Sequence, residues 1–349
     1  MILTIVVPIL LAGGMLAMPA NAVGQSPAAE RPKIILDVDL AEDVDDAGAI
    51  AVLHALADRG ECEILGLMVS SKNEWIVPCA NAINTYYGRP DLPIGYQREH
   101  LHGYRNLKDP DRETPSSYAE KVARAFPHSI ARSSDAPDAV LLTGKLLAAQ
   151  PDGSVTMVTV GLLSNMAALL NSRPDENSSL DGETLVRQKV RQWVCMGGIF
   201  PQGQFPGGQA EYNLMYDTVA SVRAINDWPT PIVFSGFAIG AAIKVGANLA
   251  ATPEANPVRA CYLHYNGLRD REAWDLTAVL YAVRGARDYW KLSEPGLCVM
   301  HARVPHGYNE WIPTPHKQHR YLVEAMPPAD VARLLDELLT AAPRSIGPR

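Results

Sequence analysis

Short apolar runs alternate with amphipathic stretches along most of this chain. Lys33–Val38 (KIILDV) has the length and character of a buried strand, and Ala47–Ala57 carries Ala49, Val52, Leu53 and Leu56 on one helical face. Cys62–Ser71 (CEILGLMVSS) then predicts a second strand and Trp75–Tyr87 a second helix. The alternation continues with a short strand at Leu92–Tyr96 (LPIGY), a helix over Ala136–Ala149, a strand at Ser154–Gly161 (SVTMVTVG) and a helix over Leu163–Leu170. Gln192–Gly198 (QWVCMGG) and Pro231–Gly236 (PIVFSG) predict further strands, and Val331, Leu334, Leu335 and Leu338 place a packing helix over Ala329–Ala341. Strands that alternate with helices predict an α/β fold, a mostly parallel central sheet with helices on both faces.

Two polar segments interrupt this pattern. Tyr96–Phe126 is rich in His, Arg and Pro, and Phe200–Gln209 (FPQGQFPGGQ) in Gly and Pro. Long loops of this kind serve as lids or binding loops, with disorder as the alternative. The first 22 residues lack any charged side chain and end in Ala20-Asn21-Ala22, an A-x-A pattern. We expect a signal peptide over 1–22, a flexible linker over 23–32 and one domain over 33–345, hence a secreted or periplasmic protein. An uncleaved membrane anchor is the alternative, and the membrane is a partner only in that case.

Composition narrows the class. The chain has 349 residues, 47% of them hydrophobic and 20% charged, which suits a globular protein with a large core. A net charge of −7 and scattered Lys and Arg give no footprint for nucleic acid. Cys62, Cys79, Cys195, Cys261 and Cys298 are widely spaced without a CxxC pattern, so neither a zinc site nor a disulfide framework is indicated.

The chemistry concentrates at one strand-to-helix turn. Asp37–Asp46 (DVDLAEDVDD) packs five aspartates and a glutamate into ten residues, between the first predicted strand and the first predicted helix. In an open parallel sheet such a turn lies at the carboxyl ends of the strands, where ligands bind. Carboxylates this close raise one another's pKa unless a cation neutralises them, so an oxygen-favouring cation is the first hypothesis. An EF-hand fails, because Ala41 and Glu42 stand where an oxygen ligand and the turn glycine belong. A haloacid-dehalogenase DxD motif fits poorly, because Leu40-Ala41 replaces the small hydroxylated residue it requires.

Read as DxDxxxDVDDAxAI over Asp37–Ile50, the turn resembles the inosine-uridine-preferring nucleoside hydrolases, whose usual form is DTDPGxDDAxAI. Further pieces follow in family order. Gly161–Leu170 (GLLSNMAALL) resembles GPLTNLAxAL, Met196–Gly198 matches a strand end, Ala210–Asn213 (AEYN) resembles AEFN and is followed by Asp217, and Trp274–Gly285 (WDLTAVLYAVRG) resembles HDPxAVxxA. The resemblance implies an open, Rossmann-like sheet of nucleoside hydrolase type and an N-glycosyl hydrolase acting on ribonucleosides. It also implies calcium held by Asp39, Asp46, Asp275 and the backbone carbonyl near Val160, where no particular side chain is needed. Asp39 would be the general base, Asp45, Asn73, Glu211 and Asn213 would bind ribose hydroxyls, and Asp37 would support them from behind. Trp274 stands where many relatives have His and resembles the purine-preferring branch, in which Trp stacks on the base, a core or rim Trp being the alternative. His102 is a candidate for a family loop His near the base, a surface His being the alternative, and His54 reads as a packing or surface residue. The family forms oligomers, so a homo-oligomer is a candidate assembly.

The chemistry gives the acids a use of its own. Cleaving an N-glycosidic bond develops positive charge on the sugar, which nearby carboxylates stabilise. Two departures from the family pattern stand out: the turn carries two extra residues, and Phe205 replaces an Asn that would hold the sugar. They keep open a calcium-containing ribosyl-ligand binding protein, or a hydrolase of another glycosidic substrate.

Overall fold

The computed structural model describes residues 1–3, 31–40, 43–98, 118–302 and 307–344. The chain divides into two units, Met1–Glu30 and Arg31–Arg349, and the fold below belongs to the second. The expected signal segment beyond residue 3, His102, and Ala41 and Glu42 of the acidic turn lie outside the described residues.

The strands are β1 (Lys33–Val38), β2 (Glu63–Val69), β3 (Ile94–Tyr96), β4 (Val155–Thr159), β5 (Val190–Met196), β6 (Ile232–Ser235), β7 (Lys244–Val245), β8 (Arg271–Glu272), β9 (Trp290–Leu292), β10 (Gly296–His301), β11 (Tyr308–Pro313) and β12 (Arg320–Glu324). The α-helices are α1 (Asp45–Asp58), α2 (Ile76–Tyr86), α3 (Ala119–Ala125), α4 (Ala139–Ala148), α5 (Ser164–Asn171), α6 (Gly182–Lys189), α7 (Tyr212–Tyr216), α8 (Thr218–Asp227), α9 (Phe237–Ala241), α10 (Pro257–Asn266), α11 (Trp274–Arg284) and α12 (Pro328–Leu339).

Eight strands form one sheet in the order β3-β2-β1-β4-β5-β6-β12-β9. Every pairing is parallel except β12 with β9. Its central strands are apolar on both faces because both faces are covered. Along β1, Ile34, Leu36 and Val38 enter one core with Ile50, Leu53, Leu280 and Leu335. Ile35, pointing the other way, joins Met157, Met166, Trp193 and Ile225 in the second. β7–β8 and β10–β11 are separate two-stranded antiparallel pairs.

Most predicted elements form within a few residues of their expected bounds, and the differences have local causes. α1 begins at Asp45 rather than Ala47, which puts both acids of the Asp pair inside its first turn. α4 begins at Ala139 because Asp138 caps it, accepting from the N–H groups of Val140 and Leu141, while Pro137 disfavours helical geometry before it. The Phe200–Gln209 segment turns back on itself, with Phe205 N–H donating to Gln209 O and Gly208 N–H to Phe205 O, both at 2.8 Å. Helices α6, α8 and α10 lie where no helix was expected, each started by a side-chain cap at Asp181, Asp217 or Asn256.

The five cysteines are buried and unbridged, with the Sγ atoms of Cys79 and Cys261 3.9 Å apart. No helix among the described residues is long and apolar enough to cross a membrane.

Candidate active site

Strand order reverses between β1 and β4, and in open α/β sheets the crevice at such a reversal, beyond the carboxyl ends of the strands, is where ligands bind. Asp39 follows β1 and Val160 follows β4 at that crevice, where Val160 N–H donates to Asp37 O at 2.9 Å. A Cβ on Gly161 would sit 2.6 Å from the Cβ of Asp39 and 2.7 Å from its backbone nitrogen, so the two loops meet only because this residue is glycine. Ser71 Oγ holds the carbonyl of Asp39 at 2.8 Å from the other side.

Two helix N-termini converge on Asp39. Asp45 and Asp46 lie in the first turn of α1 and Asp275 in the first turn of α11. Their carboxylates offer oxygens within 4.8 Å of one another, and all three residues are buried. Asp39 N–H donates to Asp46 Oδ1 at 3.0 Å and Asp275 N–H to Asp45 Oδ2 at 3.2 Å, which locks the loops to the acids. Helix N-termini favour negative charge, but only by about 0.3–2 kcal/mol each. Burial dominates: it raises the pKa values of Asp45, Asp46 and Asp275 well above the ordinary carboxylate value, and the neighbouring acids raise them further.

A cavity of about 350 Å³ opens over this cluster. Asp39, Asp43, Asp45, Asp46 and Asp275 form its acidic side, Val160 and Met196 lie beside them, Glu211, Tyr212, Asn213 and Tyr216 form a second wall, and Phe237, Arg271 and Trp274 a third. Among the described lining residues, six carboxylates therefore accompany one guanidinium. An excess of buried negative charge with only oxygen donors fits a hard divalent cation.

The second wall is built by a cap. Glu211 starts α7, and its carboxylate accepts from the N–H groups of Asn213, Leu214 and Gly198. Burial pushes its pKa up to about 7 despite those bonds. Asn213 Nδ2 donates to the carbonyls of Val160 at 2.9 Å and Met196 at 3.3 Å, so it ties α7 to the ends of β4 and β5. On the third wall, Trp274 Nε1 donates to Phe237 O at 3.0 Å and the two rings lie 5.3 Å apart. A Cβ on Gly240 would come within 2.2 Å of Trp274 Cα, so this glycine lets α9 reach α11.

The sequence-predicted residues Asp39, Asp45, Asp46, Val160, Glu211, Asn213, Trp274 and Asp275 all line the cavity. Asn73 does not: it is buried, and its Oδ1 accepts from Trp75 N–H at 2.8 Å. Asp37 lies one layer below, where its Oδ2 accepts from Asn165 Nδ2 at 2.8 Å and so couples β1 to α5. His54 is a core residue stacked on Tyr87, and burial lowers its pKa to about 4. Sequence reasoning missed Asp43, Arg271, Tyr212, Tyr216 and Phe237 as cavity residues. Asp43 sat visibly in the acidic run, whereas Arg271 had no periodic or motif signal.

The sequence profile of inosine-uridine preferring nucleoside hydrolases matches residues 34–304, a span that contains every residue lining this cavity. The chain belongs to that family. Among relatives of this nucleoside hydrolase family member, the pyrimidine-specific ribonucleoside hydrolase RihB of Escherichia coli (strain SE11) is 28% identical over 221 residues, 59% of this chain and 60% of that protein. Among solved structures, an inosine-guanosine nucleoside hydrolase matches with a TM-score of 0.67 at 16% identity, over 89% of this chain and 99% of that chain. A purine-preferring ribonucleoside hydrolase from Gardnerella vaginalis matches with a TM-score of 0.64 at 16% identity, over 88% and 98%. At these identities the two structures show a shared fold.

Proposed function

We propose that this protein hydrolyses the N-glycosidic bond of ribonucleosides, with calcium held by Asp39, Asp46, Asp275 and the carbonyl of Val160. One observation carries the reading: a buried carboxylate cluster at the strand-order reversal lines the same cavity of about 350 Å³ as Phe237 and Trp274. Ribose belongs on the acidic side and the base against Trp274.

Of the three aspartates proposed to hold calcium, Asp39 is the half-buried one, and it accepts the proton of the attacking water. The water oxygen bonds to the anomeric carbon, the carbon–nitrogen bond breaks, and its electron pair leaves with the base. Asp45, Glu211 and Asn213 orient the sugar, and the acids around it oppose the positive charge that develops on the ring. When bound, calcium would supply a fixed positive charge that lowers the pKa of the attacking water and orders the vicinal hydroxyls. Trp274 supports a slight preference for purines through its larger stacking area. RihB is pyrimidine-specific, whereas the two fold neighbours are an inosine-guanosine and a purine-preferring hydrolase, so the base preference is the finer part of the proposal.

Export to a secreted or periplasmic location is proposed from the uncharged first 22 residues. N-terminal sequencing of the mature protein tests it, and an intact Met1 in a soluble, non-exported protein refutes it.

The activity is tested by release of free base and reducing sugar from inosine, guanosine, adenosine, uridine and cytidine, with and without a calcium chelator. Calcium-dependent release is the expected outcome. Phe205 favours a second reading, because its ring packs on Phe237 at 4.8 Å and brings no amide to the sugar. Protein that contains calcium yet releases no base would be a ribosyl-ligand binding protein or a hydrolase of another glycoside.

A further inference from the structure

Among the described residues that line the cavity, Arg271 is the one cationic side chain. It belongs to β8, three residues before Trp274, and reaches back to the loop after β1. Its Nε donates to Asp43 Oδ1 at 2.9 Å and Oδ2 at 3.2 Å, and its Nη2 also donates to Asp43 Oδ2. Nη1 donates to Glu272 Oε2 at 2.8 Å. The guanidinium carbon lies 4.9 Å from the centroid of the Trp274 ring.

Asp43 is itself held in place. Val44 N–H donates to its Oδ1 at 2.7 Å and Tyr118 OH to its carbonyl at 2.6 Å. It lies in the stretch where the turn is longer than the family pattern by two residues. The longer turn thus delivers a carboxylate that fixes a guanidinium on the base-side aromatic wall. Of the five N–H donors of a guanidinium, the bonds to Asp43 and Glu272 use three.

We propose that Arg271, positioned by Asp43, is the residue that selects and activates the leaving base, its two remaining N–H groups donating to oxo or ring-nitrogen acceptors on the edge of a base lying along the Phe237–Trp274 wall. The inference rests on the hydrolase reading above. As the glycosidic bond breaks, its electron pair passes to the base nitrogen, and negative charge spreads onto the acceptors that the guanidinium holds. Arg271 keeps its protons throughout, and the departing base takes its proton from solvent. A donor-only side chain matches the O6 and N7 acceptors of hypoxanthine and guanine and the carbonyls of uracil. It opposes the exocyclic amino groups of adenine and cytosine. The selection acts on oxo against amino bases, independently of the size preference of Trp274.

The test measures kcat/KM of the calcium-loaded full chain on inosine, adenosine, uridine, cytidine and p-nitrophenyl β-D-riboside. The panel is wild type, Arg271→Gln, Arg271→Lys and Asp43→Asn. Arg271→Gln should lose roughly thirtyfold on inosine and uridine. On the nitrophenyl riboside, whose leaving group needs no assistance, it should lose less than about threefold. Arg271→Lys should retain part of the inosine rate, and Asp43→Asn should lower the inosine-to-adenosine ratio while leaving Arg271 in place. Equal losses on all substrates, including the nitrophenyl riboside, overturn the inference and leave Arg271 as a structural ion pair. If Arg271→Gln does not fold, an unchanged inosine-to-adenosine ratio in Asp43→Asn overturns it instead. Wild type that hydrolyses none of the substrates overturns the hydrolase reading, and the inference with it.

Discussion

Gly161 and Asp39 show how closely this site is built at the scale of single residues. Because a Cβ at 161 would overlap the backbone and side chain of Asp39, Gly161→Ala must displace the proposed base. We expect it to cost at least about tenfold in turnover, since small misplacements of catalytic groups are expensive. Melting temperature should also fall by a few degrees, because overpacking against the backbone of Asp39 costs about 1–3 kcal/mol. A variant with full turnover would show that the position of Asp39 is not critical. Asp39→Asn keeps the side-chain volume and an oxygen ligand but cannot accept the proton. Its turnover should fall by roughly a hundredfold or more with calcium still bound, while ligand affinity changes less. Unchanged turnover would remove Asp39 from the mechanism.

Among the elements, the helix starts carry both stability and function. Asp217 caps α8 by accepting from Ala220 N–H at 3.0 Å, yet burial raises its pKa to about 7. For a carboxyl whose folded pKa lies above its unfolded value of about 3.9, the folded state holds more protons between the two values. Stability then falls as pH rises from about 4 through about 7. Asp217→Asn keeps a capping oxygen without the charge. It should be more stable than wild type near pH 8, by on the order of 1 kcal/mol because the helix N-terminus offsets part of the burial cost. Near pH 4 the two should melt together; thermal melts across this range decide it, and a destabilised variant near pH 8 would refute it. The wall formed by α9 and α11 makes a second prediction. Trp274→Ala removes the indole that packs on Phe237 and Arg271, and purine nucleosides should lose more kcat/KM than pyrimidine nucleosides, by roughly five- to tenfold. Equal losses would discard a stacking role.

At the scale of the whole molecule, one sheet, two helix N-termini and several loops concentrate six carboxylates of the described residues around one cavity. Without a cation, burial and mutual repulsion hold Asp45, Asp46 and Asp275 above their ordinary pKa values, and that cost grows as pH rises and the protons are lost. Chelation should therefore lower the melting temperature by several degrees and by more at pH 8 than at pH 6, as expected for loss of a ligand that binds the folded state alone. Calorimetry with and without calcium measures this directly, and a melting temperature indifferent to both chelator and calcium would argue against a metal at the Asp cluster.

The linear pattern of this chain determined the alternation of strands and helices, because apolar periodicity is local. It also determined most of the acidic centre, because Asp39, Asp45, Asp46, Glu211, Asn213 and Asp275 lie beside short motifs tied to strand ends and helix starts. Cap chemistry at Asp181, Asp217 and Asn256 was present too, but such caps are too brief to stand out from loop composition. The tertiary structure alone decided that β12 joins β6 and β9 at the sheet edge, since pairing over such separations leaves no local trace. It alone tied Asn73 Oδ1 to Trp75 N–H and brought Arg271 to the cavity wall, across 228 residues from Asp43. An ion pair of that span depends on where the folded sheet sets two loops side by side, and no spacing along the chain encodes that distance.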